Sequence, residues 1–239
     1  MTLIAVLDYG IGNLRSAQKA LEHVGADARL TADPGLIRDA AGVVLPGVGS
    51  FGRCMDSLRG SGLDQLALEA IEADRPFFGI CVGMQMLYRG SEESPEVPGL
   101  GVLPGRVRLL TGDVKRPQMQ WNVLSEVARA DGVPSALLAG LDQPTWVYFV
   151  HSYAAEVSSD VVATCDYGRP VTAAVERGPL WATQFHPEKS AANGLAMLRN
   201  FVDLAERSGA GGVSAGATGQ APGAGSTPGS RPRSGDRPT

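Results

Sequence analysis

The chain has 239 residues, 44% of them hydrophobic, and a formal charge of −4, enough apolar material to bury one sizeable core. Its acidic balance and the lack of a folded basic stripe exclude a nucleic-acid footprint. No apolar run approaches the ~20 residues of a membrane span, and no basic start leads into a long apolar leader, so the cytoplasm is the expected compartment. Three cysteines, Cys54, Cys81 and Cys165, odd in number and widely spaced without a CxxC, argue against both a disulfide framework and a zinc site.

Taken in order, Leu3–Leu7 is a buried strand. A Tyr9-Gly10-Ile11-Gly12 turn follows, then a helix over Asn13–Val24 with Leu14, Ala17, Leu21 and Val24 on its apolar face. Ala26–Leu30 and Gly42–Leu45 are the next strands. The Pro46-Gly47-Val48-Gly49 turn leads into Phe51–Leu58, and Leu63–Ala73 is another helix. The apolar run Pro76–Ile80 reads as a strand, and Met84–Arg89 as the start of a helix. The second half is strand-rich: Arg106–Leu110, Trp121–Val127, Trp146–Tyr153, Val161–Cys165, Val171–Val175 and Leu180–Phe185, before a closing helix over Ser190–Glu206. Alternating strands and helices predict an α/β fold with a doubly wound, mostly parallel sheet, extended by additional strands. One domain over residues 1–206 is expected. From Ser208 to Thr239 the chain has no aromatic residue, leucine or isoleucine, a composition that cannot offset chain entropy, so 207–239 reads as a disordered Gly/Ala/Ser/Pro-rich tail. There is no internal repeat.

The chemistry concentrates at Gly79-Ile80-Cys81-Val82-Gly83. A cysteine on a tight turn between strand and helix has the pattern of a nucleophile elbow, where flanking glycines relieve backbone crowding and the side chain stands at the carboxyl edge of the sheet. The positive end of the following helix favours a thiolate there. A buried structural cysteine is the competing reading of this motif alone, so a base is needed. The histidines are His23, His151 and His186. His23 falls on the first helix and reads as an ordinary helical residue. His186 lies in Phe185-His186-Pro187-Glu188, where the strand period of two places His186 and Glu188 on one side. Glu188 at one ring nitrogen fixes the tautomer, leaving the other nitrogen for the Cys81 proton. His151, with no carboxylate nearer than Glu156, is the rival base.

Two glycine turns follow strands. Gly10-Ile11-Gly12 begins like a dinucleotide fingerprint, but the third glycine would stand at Arg15, so cofactor binding is not expected there. The Pro46–Gly49 turn is either a plain βα loop or, with the Val82 N–H, one side of an oxyanion hole.

With these parts in place, the chain resembles the class I glutamine amidotransferases, flavodoxin-like Cys-His-Glu enzymes that release ammonia from glutamine. The resemblance spans residues 3 to about 206. Gly79–Gln85 and Ala182–Ser190 carry the broad class; Asp8–Ser16 and Pro117-Gln118-Met119-Gln120-Trp121-Asn122 resemble the glutaminase subunits that serve a separate (β/α)8-barrel cyclase in histidine biosynthesis. It implies Cys81 as nucleophile, His186 as proton carrier and Glu188 as its orienter. It also implies Val82 and Val48 as oxyanion donors, with Gly47, Gly49, Gln85, Glu93, Ser152 and Tyr153 around the glutamine. Asn13, Trp121, Tyr148 and Lys189 would face the cyclase, as a heterodimer, with no cofactor and no metal. Gln118 and Gln120 depart from that pattern, where histidine and glycine are frequent, and bear on the interface. Feeding another synthase, of the anthranilate or aminodeoxychorismate type, is the alternative; a cysteine hydrolase or peptidase without an ammonia acceptor is a further reading, which turnover of peptides without a partner would favour, and the intact Cys81, His186 and Glu188 count against an idle regulatory module.

Overall fold

The computed structural model describes residues 1–129 and 131–211. Its main sheet has nine strands. Five run parallel in the order β2 (Asp27–Thr31), β1 (Leu3–Leu7), β3 (Gly42–Gly47), β4 (Phe77–Cys81) and β13 (Leu180–Thr183). The sheet then continues antiparallel through β12 (Pro170–Arg177), β11 (Val161–Asp166), β8 (Gln118–Glu126) and β9 (Trp146–His151). A smaller sheet joins β10 (Tyr153–Ala155), β7 (Val107–Leu109), β5 (Gly90–Ser91) and β6 (Ser94–Pro98).

The central strands β3 and β4 are buried at every position, as an apolar run must be when both faces of a parallel sheet are covered. Helix α1 (Leu14–His23) buries Ala17, Ala20 and Leu21, the spacing of one helical face. The long α6 (Ala191–Gly211) lays Phe201 against Phe78 of β4 and Trp181 of β13, at ring separations of 5.3 and 6.1 Å. Gly42 is a glycine for packing reasons: a Cβ there would press on Ala205 and Phe201 of α6 at 3.1 and 3.2 Å.

The topology fixes where chemistry occurs. β2 lies on one side of β1 and β3 on the other, so the strand order reverses at β1, and the loops leaving the carboxyl ends of β1, β3, β4 and β13 gather at one edge. Ligand sites of open α/β sheets lie at that edge.

Several boundaries differ from the sequence reading. The short helix α2 (Pro34–Asp39), capped by the Asp33 carboxylate on the Leu36 N–H at 2.7 Å, and the strands β5 and β6 were not expected. Strand β8 begins at Gln118 rather than Trp121, and the expected Trp146–Tyr153 strand divides at Ser152 into β9 and β10, which join different sheets. The helix after Cys81 is α5 (Val82–Met86), ahead of the expected Met84 start. Helix α6 carries the chain beyond Arg207 to Gly211; the rest of the segment read as a tail lies outside the described residues.

Candidate active site

Cys81 closes β4 with φ 56° and ψ −112°, a region that a side-chain-bearing residue occupies at a cost of about 1–3 kcal/mol. Its neighbours explain the glycines. A Cβ on Gly83 would meet the Leu45 carbonyl oxygen at 1.9 Å, and one on Gly79 would press on Gly83 and Met84 at 3.1 Å. On the facing strand, a Cβ on Gly47 would fall 2.6 Å from the Gly83 nitrogen. Glycine at 47 is therefore needed to let the β3 turn approach the elbow, and Gly47 does not line the cavity as expected; Val48 and Gly49 do. Val82 opens α5, where the first N–H groups have no intrahelical partner.

His186 and Glu188 meet, but not by strand alternation. β13 ends at Thr183, and Pro187–Lys189 forms a single 3₁₀ turn that folds the carboxylate back on the ring. His186 Nδ1 lies 2.9 Å from Glu188 Oε1, with the two side chains only 3% and 1% exposed. Burial alone pushes the imidazole down, but hydrogen bonds to Cys81 and to Glu188, together with their charges, outweigh it and hold His186 up at about 10. The second carboxylate oxygen of Glu188 is buried without a partner, so the pairing rests on Oε1 alone.

Asn13 donates to that same Oε1 at 3.1 Å. Asn13, expected at the partner face, thus also supports the Glu188 carboxylate, and α1 approaches the site through its N-terminal end. The His186 backbone is fixed as well: its N–H donates to the Tyr148 carbonyl at 3.0 Å, and its carbonyl accepts from Ser190 Oγ at 2.6 Å, while Ser190 Oγ accepts from the Tyr148 N–H at 3.0 Å. The 3₁₀ turn thereby covers the free edge of β9 and satisfies its backbone.

These groups open on a cavity of about 410 Å³, lined among others by Cys81, Gln85, Glu93, Ser152, Tyr153 and His186. Gln85 is buried and spends both amide protons, on the Tyr153 carbonyl and on Gln184 Oε1, each at 3.0 Å, leaving its own carbonyl oxygen. Gln184, unremarked in the sequence reading although it stands two residues before His186, directs its Nε2 toward Cys81 Sγ at 3.8 Å. Glu93 accepts from the Phe51 N–H at 2.7 Å, which ties the small sheet to the start of α3 (Phe51–Gly60).

His151 also lines the cavity, but its two nitrogens are committed: Nδ1 lies 2.9 Å from the Tyr153 carbonyl and Nε2 3.0 Å from the Gln118 side chain. Burial takes it down to about 4, with only the Tyr153 contact opposing. A neutral ring donating to Tyr153 requires Gln118 to donate through its NH₂, an amide orientation that also offers its oxygen to the Cys165 thiol. Gln118 is fully buried, set between His151, which lines the cavity, and Cys165.

On the other side of the β8–β9 ribbon, Met119, Trp121 and Trp146 are exposed by 62, 45 and 47%, and Trp121 meets Tyr148 edge-on at 6.0 Å. Lys189 is exposed at the cavity rim. Among the described residues no cluster of metal-binding side chains occurs and no helix is long and apolar enough to cross a membrane.

Comparison with known proteins adds to this geometry. The chain is 47% identical to the imidazole glycerol phosphate synthase subunit HisH of Syntrophotalea carbinolica, over 84% of this chain and 100% of the relative. It is 50% identical to the subunit of that name from Mycolicibacterium paratuberculosis, over 84% and 97%. In fold it is similar to a crystal structure of a glutamine amidotransferase, with TM-score 0.66, 22% identity and coverage of 85% and 98%. The family model described as glutamine amidotransferase class-I matches residues 5–204, a span that takes in β1 through most of α6 and so every loop that reaches Cys81. The chain belongs to the class-I glutamine amidotransferase family.

Proposed function

We propose that the chain is the glutaminase subunit of an imidazole glycerol phosphate synthase. It hydrolyses glutamine to glutamate and ammonia and delivers the ammonia to a separate (β/α)8-barrel cyclase, which makes imidazole glycerol phosphate and aminoimidazole carboxamide ribotide. The observation that carries the chemistry is the strained Cys81 beside a buried, hydrogen-bonded His186–Glu188 pair at one cavity. The names of the relatives, at 46–50% identity, support the assignment to this synthase.

Glutamine's carboxamide enters against Cys81, its amino-acid head held by Glu93, the Gln85 carbonyl and the Ser152–Tyr153 backbone. Cys81 Sγ attacks the amide carbon, its proton having passed to His186 Nε2. The oxyanion is met by the N–H groups of Val82 and Val48. His186 returns the proton to the departing nitrogen, giving ammonia and a glutamyl thioester. Water, deprotonated by His186, then adds to the thioester and releases glutamate and the Cys81 thiol. Glu188, fixed by Asn13, keeps Nδ1 protonated throughout. The exposed Met119, Trp121 and Trp146 around Tyr148, with Lys189, form the face that meets the cyclase, since aromatic side chains with this exposure are costly to leave in water and are enriched in interfaces.

The test is steady-state glutamine hydrolysis by the chain alone and with a cyclase, coupled to product formation. Glutamine-dependent synthesis only with the cyclase supports the reading. Coupling instead to an anthranilate or aminodeoxychorismate synthase, or turnover of peptides without any acceptor, overturns it.

A further inference from the structure

Two buried side chains behind the Pro46–Gly49 turn take no part in the reaction above, yet each directs its one proton at that turn. Tyr9, leaving β1, donates its hydroxyl to the Pro46 carbonyl at 2.5 Å. Cys54, on α3, donates its thiol to the Val48 carbonyl at 3.2 Å. Ser57, one turn further along α3, donates to the Tyr9 carbonyl at 2.6 Å. Tyr9 and Cys54 are almost wholly buried, and burial pushes both the Tyr9 hydroxyl and the Cys54 thiol above their ordinary values, so each keeps the proton it donates.

A trans peptide rotates as a rigid plate, with the carbonyl of one residue and the N–H of the next on opposite sides. Tyr9 therefore fixes the plate between Pro46 and Gly47, and Cys54 fixes the plate between Val48 and Gly49. The plate between them, joining Gly47 to Val48, carries the Val48 N–H. Its position is also limited from the front, because Gly47 is packed against the Gly83 nitrogen of the elbow.

We infer that Tyr9 and Cys54 are positioning residues for the oxyanion donor: they clamp the peptides on either side of the Gly47–Val48 plate, confine rotation to that plate, and hold its N–H at the height of Cys81. The assignment rests on the glutaminase reading. Without the thiol the Val48–Gly49 plate turns as well, the turn spreads over more conformers, and a smaller fraction presents the donor. Substrate contacts through Glu93, Gln85 and Tyr153 do not depend on it.

The experiment compares the full chain with Cys54→Ala, Cys54→Ser and Tyr9→Phe, each in complex with the cyclase. It measures kcat and KM for glutamine and, by mass spectrometry, the rate at which iodoacetamide alkylates Cys81, a reaction that needs no oxyanion donor. Cys54→Ala is expected to lower kcat about fivefold, the worth of one ordinary hydrogen bond, and within the ~10²–10³ set by losing an oxyanion donor outright. KM and the alkylation rate stay as in the parent chain, Cys54→Ser recovers most of the lost kcat, and Tyr9→Phe falls in the same direction. Unchanged kcat in both Cys54→Ala and Tyr9→Phe overturns the assignment. So does a loss shared equally by kcat, KM and alkylation, or a serine variant no better than alanine. If the alanine variant does not fold, the comparison of Cys54→Ser with Tyr9→Phe decides, equal rates overturning the clamp. A parent chain that turns over no glutamine overturns the glutaminase reading and this inference with it; active parent with indifferent variants overturns the clamp alone.

Discussion

Replacing Glu188 by glutamine perturbs the hydrogen-bond chain behind Cys81 while nearly keeping its shape. The two buried histidines supply the comparison. Burial takes His151 down to about 4, whereas His186, also penalised by burial, stands at about 10 because Cys81 and then Glu188 outweigh that penalty. A glutamine has no charge to contribute. If its NH₂ faces His186 Nδ1, the ring is forced into the wrong tautomer. If its oxygen faces Nδ1, the NH₂ occupies the site of Oε2, which has no partner, and a buried donor goes unsatisfied at about 1–3 kcal/mol. Because a positioned acid–base group is worth on the order of 10²–10⁴, kcat for glutamine hydrolysis in the cyclase complex should fall by roughly 10²–10³ with little change in KM. His186 also loses one of its two supports, so the alkaline limb of the pH–rate profile moves to lower pH. Synthesis from added ammonium salts is the control and should be unaffected. A variant within about tenfold of the parent in kcat, with the alkaline limb unmoved, would refute the role given to Glu188.

Cys81→Ala should abolish glutamine-dependent synthesis while synthesis from ammonium salts survives; equal loss with both nitrogen sources contradicts a nucleophile confined to this subunit. His151→Asn should keep an appreciable fraction of kcat and raise KM, because the Tyr153 carbonyl loses a donor while Cys81 keeps its base; steady-state kinetics showing it as damaging to kcat as His186→Asn would reverse the choice of base. His151 also sets an acid limit. Its folded value lies below the ordinary 6.5, so stability is complete above 6.5 and is lost as pH falls through about 4, by roughly 3 kcal/mol; urea midpoints that do not decline over that window, or that decline equally in His151→Asn, would count against it. Truncation after Gly211 should leave Tm and coupled activity nearly unchanged, given the composition of the segment it removes, and a loss of cyclase binding on a size-exclusion column would give that segment a function.

What was legible in the sequence is what short-range physics encodes. Runs such as Leu3–Leu7 and Phe77–Cys81 are apolar at every position because both faces of their strands are covered, and the run itself announces this. Gly79 was readable because a strained turn excludes a Cβ on its own neighbours, and its clashes with Gly83 and Met84 are of that kind, whereas Gly83 answers to the Leu45 carbonyl on the facing strand. His186 and Glu188 were paired correctly for a reason that does not hold. Two residues apart, they would share a side of a strand, but Pro187 starts a 3₁₀ turn instead, and the turn rather than the pleat brings Oε1 to Nδ1.

What was not legible depends on partners far along the chain. Nothing local to Asn13 says that its amide will reach Glu188, 175 residues away; the residue type suits a helix cap, and its side chain makes no capping bond. Gln118 is similar: on an alternating strand with Met119, Gln120 and Trp121 exposed, only the pairing of Gln118 with His151 across β8 and β9 puts it on the buried side. Ser152 interrupts an apolar stretch with no glycine or proline to mark the break, because the break is imposed by two sheets competing for one strand: β9 pairs with β8, while β10 pairs with β7 and Ser152 gives its carbonyl to Leu110. That division is also what turns the Ser152–Tyr153 backbone into the cavity. The polypeptide crosses from one sheet to the other beside Cys81, and the carbonyl at the crossing, on Tyr153, is held from both sides by His151 and Gln85, two residues that themselves line the cavity.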